Sequence, residues 1–132
     1  MTRARTPIVL ASAAATILAT LGLTSLARGR TEAGASAATL RISADSSGGL
    51  KFSRRTLSAP HGRVTIVMRN PRGSGLPHSV AIAIAGPDRK GHVVQPGGTS
   101  RATATLRRGR YTYYCTYDSH RSLGMRGTLT VR

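Results

Sequence analysis

The sequence has very few cysteines: Cys115 is the only one among its 132 residues. A single thiol excludes an intrachain disulfide, so a sandwich domain in which two cysteines join the sheets is ruled out. The thiol of an exported protein is lost to oxidation or intermolecular pairing unless it is buried or holds a metal. If the chain is exported, Cys115 therefore needs one of these two kinds of protection.

Acidic residues are scarce as well. The chain has four Asp and Glu against 20 Lys and Arg, a formal net charge of +16. From residue 38 onward, 14 Arg and 2 Lys oppose three Asp, which leaves a net charge of +13. Aromatic side chains that could stack on bases are confined to one stretch, so we expect no nucleic-acid partner. An acidic protein or an anionic envelope fits the charge, although general solubility would also explain it.

The N-terminal segment has no charge over residues 7–27 and follows Arg3 and Arg5. This layout predicts a helical secretory signal or an uncleaved membrane anchor. As a helix rising about 1.5 Å per residue, the segment approaches the thickness of a bilayer, so membrane association through residues 7–27 is the alternative to cleavage. Small residues at 33–37 favour cleavage. In either case we expect export, to a secreted, periplasmic or outward-facing anchored state.

The remainder of the chain lacks any stretch with a helical period after residue 30. Instead, short alternating runs rich in Val, Ile, Thr and Tyr are separated by Gly, Pro and Ser clusters. This pattern predicts an all-β, Greek-key antiparallel β-sandwich in one small, monomeric domain over residues 38–132, after a signal or anchor plus linker over residues 1–37. The predicted strands are 39–43, 55–58, 63–70, 78–85, 101–107, 110–115 and 126–132.

A tyrosine corner is predicted at residues 106–111, L-R-R-G-R-Y. In this motif a tyrosine that enters a strand returns its hydroxyl to the preceding connection. Side-chain alternation then places Tyr111, Tyr113 and Cys115 on one face of the strand and Tyr114 on the other. If the two tyrosines Tyr111 and Tyr113 point inward, the thiol does so too.

The residues that follow the cysteine at regular intervals are candidate metal ligands. Four residues separate Cys115 from His120, and four more separate His120 from Met125. A thiolate, an imidazole and a thioether are the soft ligands that suit copper, and two His with one Cys and a weak axial Met form the electron-transfer type of site.

The second histidine of such a site has three candidates: His61, His78 and His92. His78 begins an alternating strand after a Gly/Pro-rich loop, so it can lie at the end of the sandwich that carries the cysteine loop. His61 and His92 lie beside glycines in turns, and we expect both to be solvated. His78 is therefore the predicted ligand.

Together these segments resemble a known family. Residues 109–131, G-R-Y-T-Y-Y-C-T-Y-D-S-H-R-S-L-G-M-R-G-T-L-T-V, and residues 70–82, N-P-R-G-S-G-L-P-H-S-V-A-I, are similar to the plastocyanin/azurin-type cupredoxins, the small blue copper proteins. The resemblance covers roughly residues 64–131. It implies a cupredoxin-like Greek-key sandwich with one type 1 copper ion, held by His78, Cys115 and His120 as equatorial ligands and Met125 as the axial one.

The sequence departs from the family in two places. Asp118-Ser119 stands where many relatives have Pro-Gly, and its negative charge near the metal should favour Cu(II) and lower the reduction potential. Ser79 stands where the family often has Asn, whose longer side chain braces the ligand loop.

The predicted function is a one-electron carrier, not an enzyme. The His-Cys-His bridge of multicopper oxidases is absent, because Tyr114 and Thr116 flank the cysteine. The alternative is a copper-binding protein for storage, delivery or sensing, and a third interpretation is an exported sandwich that holds no metal. For a carrier we expect a redox protein partner, acidic if charge steers it.

Two features could serve that partner. Leu76, Pro77, Leu123 and Gly124 could form an apolar docking rim around His120, or simply pack as loop residues. Tyr114, the covalent neighbour of the thiolate, could pass electrons outward, or be only an aromatic on the sheet surface.

Overall fold

The structure, a computed structural model, describes residues 36–132 and is built almost entirely of β-strands. A short 3₁₀ turn at Arg72–Ser74 is its one helical element within those residues. The strands are β1 (Ser36–Ser43), β2 (Thr56–Ala59), β3 (Gly62–Arg69), β4 (Ala81–Ile82), β5 (Arg89–Lys90), β6 (Thr99–Leu106), β7 (Gly109–Tyr114) and β8 (Arg126–Val131).

The strands form two sheets, a three-stranded one in the order β1-β3-β6 and a five-stranded one in the order β2-β8-β7-β4-β5. Two pairs are parallel, β1 with β3 and β2 with β8, and the other pairs are antiparallel. The prediction of a wholly antiparallel sandwich is therefore wrong for these two pairs. Alternation along one strand shows which face is buried, but it carries no information about the direction of the neighbouring strand.

All seven predicted strands have counterparts, and β5 was missed because it has only two residues, both exposed. The predicted strand 78–85 shortens to β4 because its backbone groups find other partners. The Val80 amide donates to the Ser100 hydroxyl at 3.2 Å, and the Ile84 amide donates to the Asp88 carboxylate at 3.3 Å.

The core lies between the two sheets and is formed by the inward residues of the alternating strands. Val64, Ile66 and Met68 of β3 have no exposed surface, and Leu129 of β8 is equally buried. Each such side chain contributes about 1.5–3 kcal/mol through removal of apolar surface from water. Cys115 belongs to this core cluster, so the scaffold that stabilises the domain also surrounds the thiol.

The predicted N-terminal helix at residues 7–27 lies outside the described residues, and the domain boundary at residue 38 stays a prediction. Within residues 36–132, no helix has the length and apolarity needed to cross a bilayer.

Candidate metal centre

The tyrosine corner anchors β7, the strand that ends just before Cys115. The Tyr111 hydroxyl donates to the Arg107 carbonyl at 2.9 Å, which confirms the predicted motif. Tyr113 and Cys115 are fully buried, as alternation predicted. The Tyr113 hydroxyl donates to the Arg54 carbonyl, and burial raises the pKa of Tyr113 to about 12 although the Arg54 charge opposes the shift. The thiol therefore directly follows a strand whose tyrosines Tyr111 and Tyr113 are held by hydrogen bonds to backbone carbonyls.

The loop from Cys115 to Met125 is closed by its own backbone. The Cys115 amide donates to the Met125 carbonyl at 3.1 Å, and the Met125 amide donates to the His120 carbonyl at 2.9 Å. The His120 amide in turn donates to the Tyr117 carbonyl at 3.2 Å. These bonds bring the three residues of the Cys-x4-His-x4-Met pattern to the same end of the sandwich, next to the start of β8.

His78 reaches this end from a different part of the chain. Its amide and carbonyl pair with Val94 at 3.0 and 2.8 Å. The buried Asn70 side chain donates to the carbonyls of Leu76 and Val94, at 2.9 and 3.0 Å, and accepts a hydrogen bond from the Ser74 hydroxyl. Asn70 thus ties the Gly/Pro-rich loop to the segment that carries His78.

The ligand atoms converge on one point. The Cys115 Sγ lies 3.9 Å from His78 Nδ1 and 3.7 Å from His120 Nδ1, and all three atoms lie within 4.8 Å of one another. A metal in the plane of three ligands, with bonds of about 2.0 Å to nitrogen and 2.3 Å to sulfur, would set each nitrogen and the sulfur about 3.7 Å apart. The residues therefore fit a single ion, and a thiolate with two imidazoles is the donor set of copper.

Burial keeps His78 in the form that binds metal. The ring has no exposed surface, and this burial lowers its pKa, with the charge of His120 adding to the shift. The imidazole is thus neutral at neutral pH, as ligation requires. Its Nε2 has no hydrogen-bond partner among the described residues. Most metal-binding histidines have such a partner, so Nδ1 ligation would be the main restraint on this ring.

Ser79 braces the cysteine despite its short side chain. Its amide lies 3.4 Å from the Cys115 Sγ, and its hydroxyl lies 2.7 Å from that of Thr116, whose amide donates to the Ser79 hydroxyl at 2.9 Å. Ser79 and Thr116 together link the two segments that carry His78 and Cys115. An amide pointing at the sulfur also stabilises a thiolate.

Met125 is fully buried and belongs to the core cluster beside Cys115. Its backbone is hydrogen-bonded to both Cys115 and His120. Met125 therefore lies next to the three converging ligands in the structure. The two other histidines, His61 and His92, are exposed, in agreement with the prediction.

Two residues beside the site were missed by the sequence analysis. The Tyr114 hydroxyl donates to the Asp88 carboxylate, and this bond is the main cause of a lowered pKa for Asp88. The Arg121 guanidinium stacks on the Tyr114 ring, 3.9 Å from its centroid. These contacts bury Tyr114 on the outer face of the sheet. No sequence signal could have found Asp88, because it lies 26 residues away from its tyrosine partner.

The metal end of the molecule carries exposed apolar side chains. Leu76 and Leu123 of the predicted rim are 38% and 63% exposed, and Val93, which the sequence analysis missed, is 45% exposed. His120 retains 5% exposure, whereas His78 and Cys115 have none. The edge of His120 is therefore the part of the three-residue cluster that reaches the surface.

Comparison with known proteins identifies the family. Residues 38–132 match the copper binding proteins of the plastocyanin/azurin family. The chain belongs to this family. The predicted resemblance is thereby confirmed, copper is the cofactor, and His78, Cys115 and His120 could form a type 1 site with Met125 nearby.

Solved structures agree with the fold. Auracyanin B has a TM-score of 0.63 and 23% identity, over 72% of this cupredoxin and 88% of that chain. Auracyanin A, a "blue" copper protein from Chloroflexus aurantiacus, has a TM-score of 0.62 and 21% identity, over 74% and 100%. A copper nitrite reductase from Nitrosomonas europaea has a TM-score of 0.60 and 21% identity, over 73% of this chain and 41% of that chain.

At these identities the likeness establishes the cupredoxin fold alone. Because an enzyme shares the fold with blue copper proteins, the fold does not by itself separate a carrier from a catalyst. No curated protein sequence matches the chain.

Proposed function

We propose that this cupredoxin is an exported one-electron carrier with one type 1 copper, which His78, Cys115, His120 and Met125 would hold. The observation that supports the proposal is the convergence of the three nitrogen and sulfur atoms within 4.8 Å, in side chains that are almost wholly buried. The bound ion would supply the Cu(I)/Cu(II) couple.

The protein's part is to hold the ligands still while the electron moves. Transfer is fast when the ligand positions suit both oxidation states, so a rigid site suits a carrier. Three ligands lie on one loop closed by backbone hydrogen bonds, and the fourth, His78, is paired with Val94 and braced through Asn70. Ser79 adds a contact at the sulfur, and the Asp88–Tyr114–Arg121 contacts hold the outer side of the ligand loop.

Burial favours electron transfer over catalysis and over metal delivery. A substrate needs an open coordination position, and a delivery protein must release its ion to a partner. Here only the edge of His120 reaches the surface. Electrons can cross that edge, whereas a substrate or a receiving ligand cannot approach the buried sulfur. We therefore infer a carrier that docks through the apolar rim of Leu76 and Leu123 against a redox protein.

Loading the full-length protein with Cu(II) tests the proposal. We expect an intense blue thiolate-to-copper absorption band that disappears on reduction and returns on reoxidation. Cys115→Ser should abolish the band, because the thiolate that produces it is gone, while His92→Ala should retain it, because His92 is exposed. Absorption and electrochemistry on the three proteins give the answer.

The opposite results would point to the other functions. A colourless protein that retains only Cu(I) would indicate copper storage or delivery. Purification without copper, together with an unfolding free energy that copper does not raise, would indicate a sandwich with no metal function, since a ligand that binds the native state must stabilise it.

A further inference from the structure

The outer face of the three-stranded sheet, on β1, β3 and β6, carries a cluster of arginines. Strand register places Arg41 and Arg101 on either side of Val67, with their Cα atoms about 10 Å apart across two strand spacings. Arg69 lies two residues along β3, between Ser43 and Thr99. The three arginines are exposed, yet Val67 beneath them is only 8% exposed. Arginine stems that cover an apolar residue leave their guanidinium groups at the surface.

A fourth arginine reaches the cluster from the second sheet's side. Ser53 is tied to β1 because its amide donates to the Ser43 carbonyl at 2.8 Å and its hydroxyl accepts from the Ser43 amide at 3.0 Å. The next residue is Arg54, whose carbonyl accepts the hydrogen bond of the buried Tyr113 hydroxyl. These hydrogen bonds hold the backbone of Arg54 in position.

Together these residues line a groove of about 480 Å³. Arg41, Arg54, Arg69 and Arg101 form its basic walls, the hydroxyls of Ser43, Ser53 and Thr99 add hydrogen-bond donors, and no acidic residue lines it. The single ion pair among residues 36–132 joins Lys51 to Asp45, so none of the four guanidinium groups is paired with a carboxylate. Four uncompensated cations around one groove repel one another, and an anion between them would remove that repulsion.

We propose that this arginine groove binds a ligand that carries clustered phosphoryl groups, such as a condensed phosphate. Each guanidinium presents a planar fork of N–H donors that matches two oxygens of a phosphate. A carboxylate offers two oxygens and one charge, too few for four arginines and three hydroxyls. A chain of phosphoryl groups offers several charges and oxygens in a row, and the groove volume falls in the range of small-molecule sites.

The groove is separate from the metal centre. None of the residues that line the groove is a copper ligand or braces one. The one link between the two places is the hydrogen bond from the Tyr113 hydroxyl to the Arg54 carbonyl. A bound anion would therefore add a second partner to the electron carrier, and its binding can be measured whether or not the protein carries electrons.

Calorimetric titration of the full-length protein with pyrophosphate tests this site, using the copper-loaded, reduced form at an ionic strength of about 0.15 M. We expect saturable one-to-one binding. Arg41→Gln with Arg101→Gln should weaken it at least about tenfold, the effect of losing two forked contacts. The matched control is Arg107→Gln with Arg108→Gln, which removes the same charge from the exposed β6–β7 turn and should change the affinity by less than about threefold.

A charge-preserving pair sharpens the test. The double variant Arg41→Lys with Arg101→Lys keeps the positive charge but removes the forked guanidinium donors, so we expect the affinity for pyrophosphate to fall at least about threefold. An equal loss of affinity in both glutamine double variants would mean that the anion is attracted by the overall positive charge of the protein. That result would overturn the proposal that the groove is a specific site. Citrate bound as tightly as pyrophosphate would overturn the phosphoryl assignment. So would binding to phosphatidylglycerol vesicles without binding to pyrophosphate, which would indicate a membrane surface instead.

Discussion

Asp118 is the single non-glycine residue with a positive φ, 46°, within residues 36–132. It lies in the ligand loop, two residues before His120, at a place where the family often has Pro-Gly. Asp and Asn are the non-glycine residues that tolerate this left-handed conformation best. The loop therefore takes a left-handed turn at Asp118, and the consequence is an exposed carboxylate near the copper ligands.

Asp118→Asn isolates the effect of that charge, because asparagine suits the same backbone conformation. Removing a negative charge near the metal disfavours Cu(II), so we expect the midpoint potential to rise by tens of millivolts, on the order expected for partly screened charges. Spectroelectrochemical titration of the blue band measures it. Asp45→Asn removes an equal charge outside the ligand loop and should shift the potential less. A lower midpoint potential in Asp118→Asn would show that the Asp118 charge does not favour Cu(II).

Strands β7 and β8 approach each other closely where Tyr113 faces Gly127. A Cβ on Gly127 would collide with the Tyr113 ring and would come within 2.7 Å of the Arg55 carbonyl. The glycine thus leaves room for the ring and hydroxyl of Tyr113, on the strand that leads directly to Cys115.

Gly127→Ala should accordingly lower the unfolding free energy by about 1–3 kcal/mol, the usual cost of overpacking a core. Chemical denaturation of the single variant and of its combination with Tyr113→Leu measures the coupling. In the Tyr113→Leu background the added methyl meets a smaller side chain, so its cost should fall. The same cost in both backgrounds would show that the ring does not limit this position.

At the scale of elements, the sequence was informative about individual strands and the tyrosine corner, since these depend on alternation and on contacts within a few residues. It was uninformative about pairing. β1 lies parallel to β3 and β2 parallel to β8 because of long connections whose path no local pattern encodes. β5 was not predicted because its two residues are both exposed and so show no alternation of buried and exposed positions.

At the scale of the whole molecule, the charge of +13 from residue 38 onward is the dominant electrostatic feature. It should accelerate electron exchange with anionic partners and slow it with cationic ones. Between ionic strengths of about 0.01 and 0.15 M the Debye length falls from about 30 to 8 Å, which screens most of this attraction.

Stopped-flow electron transfer with a small anionic and a small cationic metal complex tests the steering. The rate with the anionic complex should fall as salt is added, while the rate with the cationic complex should rise. Rates that do not respond to salt in either case would leave the charge with no role in association, and solubility would then be its explanation.

The amino-acid sequence by itself determined the ligand types, their spacing and hence the metal, because three of the four predicted ligands lie within one short loop. Only the tertiary structure decided what lies beside them. The approach of His78, the hydroxyl link from Ser79 to Thr116, the Asp88–Tyr114–Arg121 contacts and the arginine groove all join residues distant in the chain. Such contacts arise when two sheets pack and pair, and local periodicity does not record them.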